Sequence, residues 1–157
     1  MTRTALFLLL LPLHAPADQP ERWLVELEHN DGIHLQFQGA ELELGSARVE
    51  GGNAILRPGV WLAIDSEQGV AQRIRPLGAS WQAEDRLNWR RAQDRLLARQ
   101  GDRLLLARLG AVSLTPDVRL INGLAADLQP GRQLVLSRNE AGRLTEILIP
   151  NPEDESE

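Results

Sequence analysis

Cysteine and tyrosine are absent from the 157 residues, and aromatic side chains make up only 4%. Lysine is missing too, since all 17 basic residues are arginine. Without cysteine there is no disulfide framework, no thiolate metal site and no thiol nucleophile. Without lysine and tyrosine, Schiff-base chemistry and phenolic acid–base chemistry are also excluded. Arginine replaces neither, because its guanidinium stays charged. Phosphate-loop and dinucleotide glycine motifs are missing, and no Gly-x-Ser-x-Gly elbow occurs. What remains is a chain 43% hydrophobic and 25% charged. That composition packs a core and suits one ordinary domain or two very small ones.

The first residues, MTRTALFLLLLPLHAPADQP, read as an address. Arg3 forms a short n-region, Ala5 to Leu13 an apolar stretch, and Ala15-Pro16-Ala17 a small-x-small cleavage pattern. Residues 1–17 are therefore expected to be a signal peptide, and the mature chain to be periplasmic or secreted. The apolar stretch covers about half of a bilayer core, and no other segment could span one. Removing Arg3 takes the formal charge from −5 to −6, of which Glu153, Asp154, Glu155 and Glu157 hold four. A nearly neutral body argues against nonspecific nucleic-acid binding.

The body reads as β-structure. Trp23, Val25 and Leu27 recur at every second position, and Ile33, Leu35 and Phe37 do the same with polar residues between them. A three-residue loop, Asn30-Asp31-Gly32, pairs Leu27 with Leu35 and Val25 with Phe37 and keeps one face apolar. Leu42 and Leu44 alternate with glutamates, and Ala47 to Val49 suits a short strand. Val60, Leu62 and Ile64 form another, and Val70 to Ile74 closes the set. Five short strands in about 55 residues suggest a small barrel of the OB or SH3 kind.

The same order of features recurs. Gly39-Ala40 matches Gly110-Ala111, and Ala47-Arg48-Val49 matches Val118-Arg119-Leu120. Leu56-Arg57-Pro58-Gly59 with Leu62 and Ile64 matches Leu128-Gln129-Pro130-Gly131 with Leu134 and Leu136. The Gly69 turn and Ile74 match the Gly142 turn and Ile147. The offset drifts only from 71 to 73, as single-residue loop insertions would make it drift, and reads as an internal duplication. In each copy Pro-Gly presets a turn that delivers the next strand.

The stretch RLLLARLGAVSLTPDVRLINGLAADLQPGRQLVLSRNEAGRLTEILIP resembles the exported bacterial family catalogued as domain of unknown function 5666. The likeness rests on Leu114 to Leu120, on Leu128 to Leu134 and on Gly142 to Ile147. Glu146 and Leu148 depart from the usual small and basic residues, and the first copy matches faintly. The resemblance implies a small exported β-barrel and no site residues.

Residues 78–100, GASWQAEDRLNWRRAQDRLLARQ, lack β-branched residues and are rich in helix formers. Ser80 as N-cap and Trp81, Trp89, Ala92 and Leu96 at helical spacing predict a helix over Trp81 to Asp94. The alternative is an extra strand over Leu87 to Arg91. Arg86, Arg90, Arg91, Arg95 and Arg99 crowd this segment, together with Arg103 and Arg108. They read either as a patch for an anionic partner or as a solvated face with local ion pairs. The acidic C-terminus could fold back on them. Trp61, pointing opposite Leu62, is expected to contact the linker or second barrel, or to form a stacking platform.

Two histidines, His29 and His34, remain after the expected cleavage, and the chosen register sets them on opposite faces with His34 across from Glu28. No shared metal and no cofactor is expected. The fold expected is mainly β: two tandem five-stranded OB/SH3-like barrels, at 22–77 and 95–150. A helical linker at 78–94 joins them, and a disordered acidic tail follows at 151–157. The function expected is a non-catalytic binding or structural module of the cell envelope, with an envelope protein as partner. The alternative is an OB-like binder of an anionic glycan that uses Trp61, Arg86, Arg90, Arg91, Arg95 and Arg99.

Overall fold

The computed structural model describes residues 20–151. The expected signal peptide and nearly all of the expected acidic tail lie outside the described residues. The fold is mainly β. The first half holds β1 (Glu21–Glu26), β2 (His29–Asn30), β3 (His34–Phe37), β4 (Ala40–Glu43), β5 (Arg48–Val49), β6 (Trp61–Glu67) and β7 (Val70–Pro76). After a short helix α1 (Ala83–Leu87) come β8 (Trp89–Gln100), β9 (Arg103–Leu106), β10 (Gly110–Ser113), β11 (Arg119–Ile121), β12 (Gln133–Arg138) and β13 (Leu144–Leu148). All thirteen strands belong to one continuous sheet, joined at the middle by parallel pairing of β1 with β8.

The two halves use the same pairings. β1 runs antiparallel to β6, as β8 does to β12. β5 runs parallel to β7 through Val49–Ile74, as β11 does to β13 through Leu120–Ile147. Leu27 exchanges backbone bonds with Gly59 and Val60, and Leu96 does so with Gly131 and Arg132. Both Pro-Gly turns thus deliver a strand to the same place. In the first half the pairings return to their start: β1 bends at Leu27–Glu28 into β2, β2 pairs β3, β3 pairs β4, and Glu43 of β4 meets Val70 of β7. β7 pairs β6, and β6 pairs β1. In the second half β10 pairs only β9 among the described residues.

The helix expected over Trp81 to Asp94 is a correction: five residues are helical, and Trp89 onward is a twelve-residue strand. The N-cap is Gln82 rather than Ser80. Its N–H donates to Asp85 Oδ2 (3.3 Å), and its carbonyl accepts from Asp85 N (3.1 Å). Helix propensity is a weak prior, and β8 is paired with β1, β12 and β9, so long-range ladder bonds outweigh it. Arg138 enforces the switch. Its guanidinium donates to the carbonyls of Leu87 (2.9 Å) and Trp89 (2.6 Å) and lies 3.9 Å from the Trp89 ring centre. The inward Asp94 of β8 is buried, yet its carboxylate accepts the N–H groups of Arg95, Arg108 and Leu109 (2.8 Å each). A buried charge is tolerated when backbone donors saturate it.

The hairpin register also differs. His29 pairs with Gln36 and Asn30 with Leu35, so the turn tip is Gly32-Ile33. Asp31 Oδ1 accepts the N–H groups of Ile33 (2.8 Å) and His34 (2.6 Å), and Gly32 holds φ +89°. The bend at Leu27–Glu28 shifts the side-chain phase, so Leu27, Leu35 and Phe37 are all buried although Leu27 and Leu35 are not partners. One consequence is that His29 and His34 share a face. His34 pairs with Glu43 rather than lying across from Glu28.

Two apolar cores flank a common wall. Val25, Leu62 and Ile64 face a core with Leu35, Phe37, Leu42 and Ile74. Leu24 and Ala63, on the same two strands, face a core with Trp81, Trp89, Leu96, Leu104 and Leu134. Both Leu24 and Val25 are fully buried, and each such side chain stabilises by about 2 kcal/mol. The halves also meet at the β3–β4 turn. Gly39 has φ +68°, and a Cβ there would lie 2.5 Å from Leu148 Cδ2. Arg91 Nη2 donates to the neighbouring Gln38 carbonyl (2.9 Å).

Asp94→Ala is expected to cost about 3 kcal/mol, read by urea denaturation, because three backbone donors lose their acceptor. Gly39→Ala is expected to cost about 1–2 kcal/mol. Adding Leu148→Ala should recover part of that loss, and strict additivity of the two would rule out the close approach.

Candidate functional site

The six residues expected to form a site do not come together. Trp61 is half-buried against the second core, 6.1 Å from the Trp81 ring centre, with the Arg108 guanidinium 4.6 Å from its own ring centre. A sugar stacking on Trp61 would have to displace these neighbours. Arg91 is held by Ser137 Oγ (3.5 Å), the Gln38 carbonyl and the Trp23 ring (5.6 Å). Burial pulls its pKa below the usual arginine value, with Glu146 opposing. Arg90 donates to the Arg138 carbonyl (3.0 Å) and approaches Glu21 (3.6 Å). Arg86 is exposed and reaches the Trp81 carbonyl (3.3 Å). Only Arg95 and Arg99 stay on one exposed stretch, where Arg99 donates to the Ala125 carbonyl (2.8 Å).

Strand geometry explains the dispersal. A helix would have gathered positions four apart on one side. On β8 successive side chains alternate between faces, and irregularities in pairing fall near Arg90 and between Leu96 and Ala98.

Two concavities stand out among the described residues. The first is a polar cleft of about 430 Å³ against α1, bordered by Arg22, Asp65, Arg73, Arg75, Glu50 and Glu84. Arg22 Nε donates to Asp65 Oδ1 (2.9 Å), and Arg75 pairs with the buried Asp85. The Asp65 bond, reinforced by nearby carboxylates, holds the Arg22 pKa above its usual value against the opposing effect of burial. Arg22, Asp65, Arg75 and Asp85 are thus already matched and tie α1 to the sheet, whereas Arg73 and Glu50 pair with no other described side chain.

The second concavity, about 480 Å³, is an open groove along β10, lined by Arg103, Ala111, Val112, Ser113, Leu114 and Pro116 among others. Beside it the outer faces of β8 and β9 carry Leu97 and Leu105, 47% and 44% exposed. Arg103 and Arg95 make no side-chain hydrogen bond or ion pair with other described residues, so this end of the sheet offers apolar surface beside uncommitted cations.

Among the described residues no three His, Asp or Glu side chains converge to hold a metal ion. His34 lies at the surface, 3.5 Å from Asp31 and 3.9 Å from Glu41. No helix among the described residues is long and apolar enough to cross a membrane. Comparison of the chain with family models, curated proteins and solved structures produced no significant match.

Sequence reasoning missed the β10 groove. Its signal is the single-residue step in repeat offset across this connection, from 72 at Ile64 and Leu136 to 73 at Gly69 and Gly142. Gln68-Gly69 alone joins β6 to β7, whereas residues 139–143 join β12 to β13.

Glu26, paired in register with Trp61, is half-buried, and its N–H donates to Gln93 Oε1. Burial lifts its pKa above the usual glutamate value, with the Arg108 charge opposing. A carboxyl raised in the folded state favours folding when protonated and loses that contribution as pH rises through the folded pKa. Glu26→Gln is therefore expected to be more stable than the parent at pH 7. The advantage should fade as pH falls toward about 4, where the parent carboxyl is protonated too. Denaturation midpoints across that range provide the check.

Proposed function

We propose that the protein is an exported, non-catalytic module of the bacterial cell envelope that binds another protein. On this reading one β unit was duplicated into two small barrels of the OB/SH3 kind, which share the β1–β6–β8 wall. The repeated pairings and the paired Pro-Gly turns support duplication. Kinship of the second copy with the exported family of unknown function 5666 belongs to the same proposal. So does export itself, which rests on the leader-like residues 1–17.

The observation that carries the binding role is the exposed end of the second half. There Leu97 and Leu105 lie beside a groove and free arginines, while the residues at the same register in the first half, Glu28 and Gln36, are polar. Apolar surface rimmed by charge is typical of a protein-binding face. The polar cleft, by contrast, spends Arg22, Asp65, Arg75 and Asp85 on internal pairs and carries little apolar surface beside them.

Site-specific photo-crosslinking in the native envelope tests this. A crosslinker at position 105 should yield a discrete protein adduct, and one at the exposed Gln72 should not. No adduct from position 105, or equal adducts from both, would refute the assignment.

A further inference from the structure

We infer that β10 is a docking edge for one extended strand of a partner protein, with apolar residues alternating with carboxylates. The inference rests on the protein-binding reading above and specifies its geometry. Leu114 N donates to the Asp102 carbonyl (2.6 Å), in line with the pairs Ser113–Arg103, Val112–Leu104, Ala111–Leu105 and Gly110–Leu106. Bonded and non-bonded pairs alternate on an antiparallel ladder. Bonds at Leu114, Val112 and Gly110 therefore point the N–H and C=O groups of Ala111 and Ser113 away from β9. Among the described residues nothing pairs with them.

The first half shows what is missing. There Glu43 N donates to the Gly69 carbonyl (2.9 Å), and Glu43 pairs with Val70, so the strand equivalent to β10 is held on both sides. The side chains beneath it, Leu42 and Leu44, are 1% and 7% exposed. The pairings Phe37–Ala40 and Leu35–Leu42 correspond to Leu106–Gly110 and Leu104–Val112, one position off the expected match of Ala40 with Ala111, and the counterparts Val112 and Leu114 are only half-buried. The wider 139–143 turn keeps its own bonds, with Asn139 N donating to the Arg143 carbonyl (2.9 Å) and Arg143 N to Asn139 Oδ1 (3.0 Å). No Gly69-like carbonyl is presented to Ser113. The second half thus lacks both backbone partners and apolar cover along one line, and an extended strand supplies both.

Charge narrows the occupant. Arg103 and Asp102 line the groove, and Arg103 has no partner of its own among the described residues, whereas Arg95 and Arg99 stand further back on β8, behind β9. A second copy of this chain docking edge to edge would bring two Arg103 side chains to one seam, which disfavours it. A carboxylate on the outer face of an incoming strand would instead come within reach of Arg103.

The probe is a fluorescent short peptide of alternating valine and glutamate, titrated into the chain from residue 18. The same peptide N-methylated at alternate residues serves as control. The proposal expects saturable binding, weakened at least tenfold by N-methylation and by Ser113→Pro. That proline removes no bond to β9, since the Ser113 N–H points outward. Arg103→Gln should weaken binding about threefold and flatten its salt dependence. Equal binding of both peptides overturns strand addition while leaving the crosslinking result from position 105 intact. Concentration-dependent dimerisation lost in Ser113→Pro without peptide binding, or peptide binding only after truncation at Asn151, assigns the edge to a second copy or to the chain's own tail. Either outcome rejects the proposal.

Discussion

The parallel pairing of β1 with β8 is the constraint on which the rest depends. It places two strands side by side whose far faces already serve separate cores, so β1 must be apolar at consecutive positions, and Leu24 and Val25 are both fully buried. Such a run loses the alternation of a strand with one solvated face. The joint also determines what surrounds it. Trp61, across from Glu26, is carried into the second core, where Arg108 lies over both its ring and that of Trp81. The Gln38-Gly39 turn is pressed against Leu148 and Arg91.

Such a joint buries polar groups, and they are accommodated unequally. Asp94 is saturated by backbone donors, and Asp85 by Arg75 and the start of α1. Arg138 spends its guanidinium on two carbonyls and a ring face. Trp81 Nε1, Arg91 Nε and Arg108 Nη1 are buried without a partner, each at a desolvation cost of about 1–3 kcal/mol. All three lie near the contact between the halves. The interface therefore combines large apolar burial with local polar imperfection, as interfaces between two independently shaped surfaces do.

The difference between the halves follows from one loop. A two-residue turn with Gln68 at φ +50° and Gly69 at φ +78° brings Val70 next to β4. The longer connection after β12 does not bring β13 to β10. A ladder that closes hides its backbone and its inward side chains together, and one that stays open leaves both available. One half thus closes its ladder through Glu43 and Val70, and among the described residues the other leaves the edge of β10 open.

Much of the local structure was legible in the residues. Alternation at Leu42–Leu44 and Leu62–Ile64, the Pro58-Gly59 and Pro130-Gly131 turns and the positive φ of Gly32 each depend on neighbours within a few positions, so period and turn chemistry determined them. Residues 89–94 read as helix because good helix formers occupy a strand whose partners lie far away in sequence, at Arg22–Leu24 and Leu134–Ser137. The arginines were grouped by sequence proximity, which a helix would have preserved and a strand scattered. Tertiary structure alone decided which edges found partners, where Trp61 went and which cations stayed free. Each of those outcomes depends on contacts between distant segments, whose closing entropy and packing leave no periodic trace in the chain.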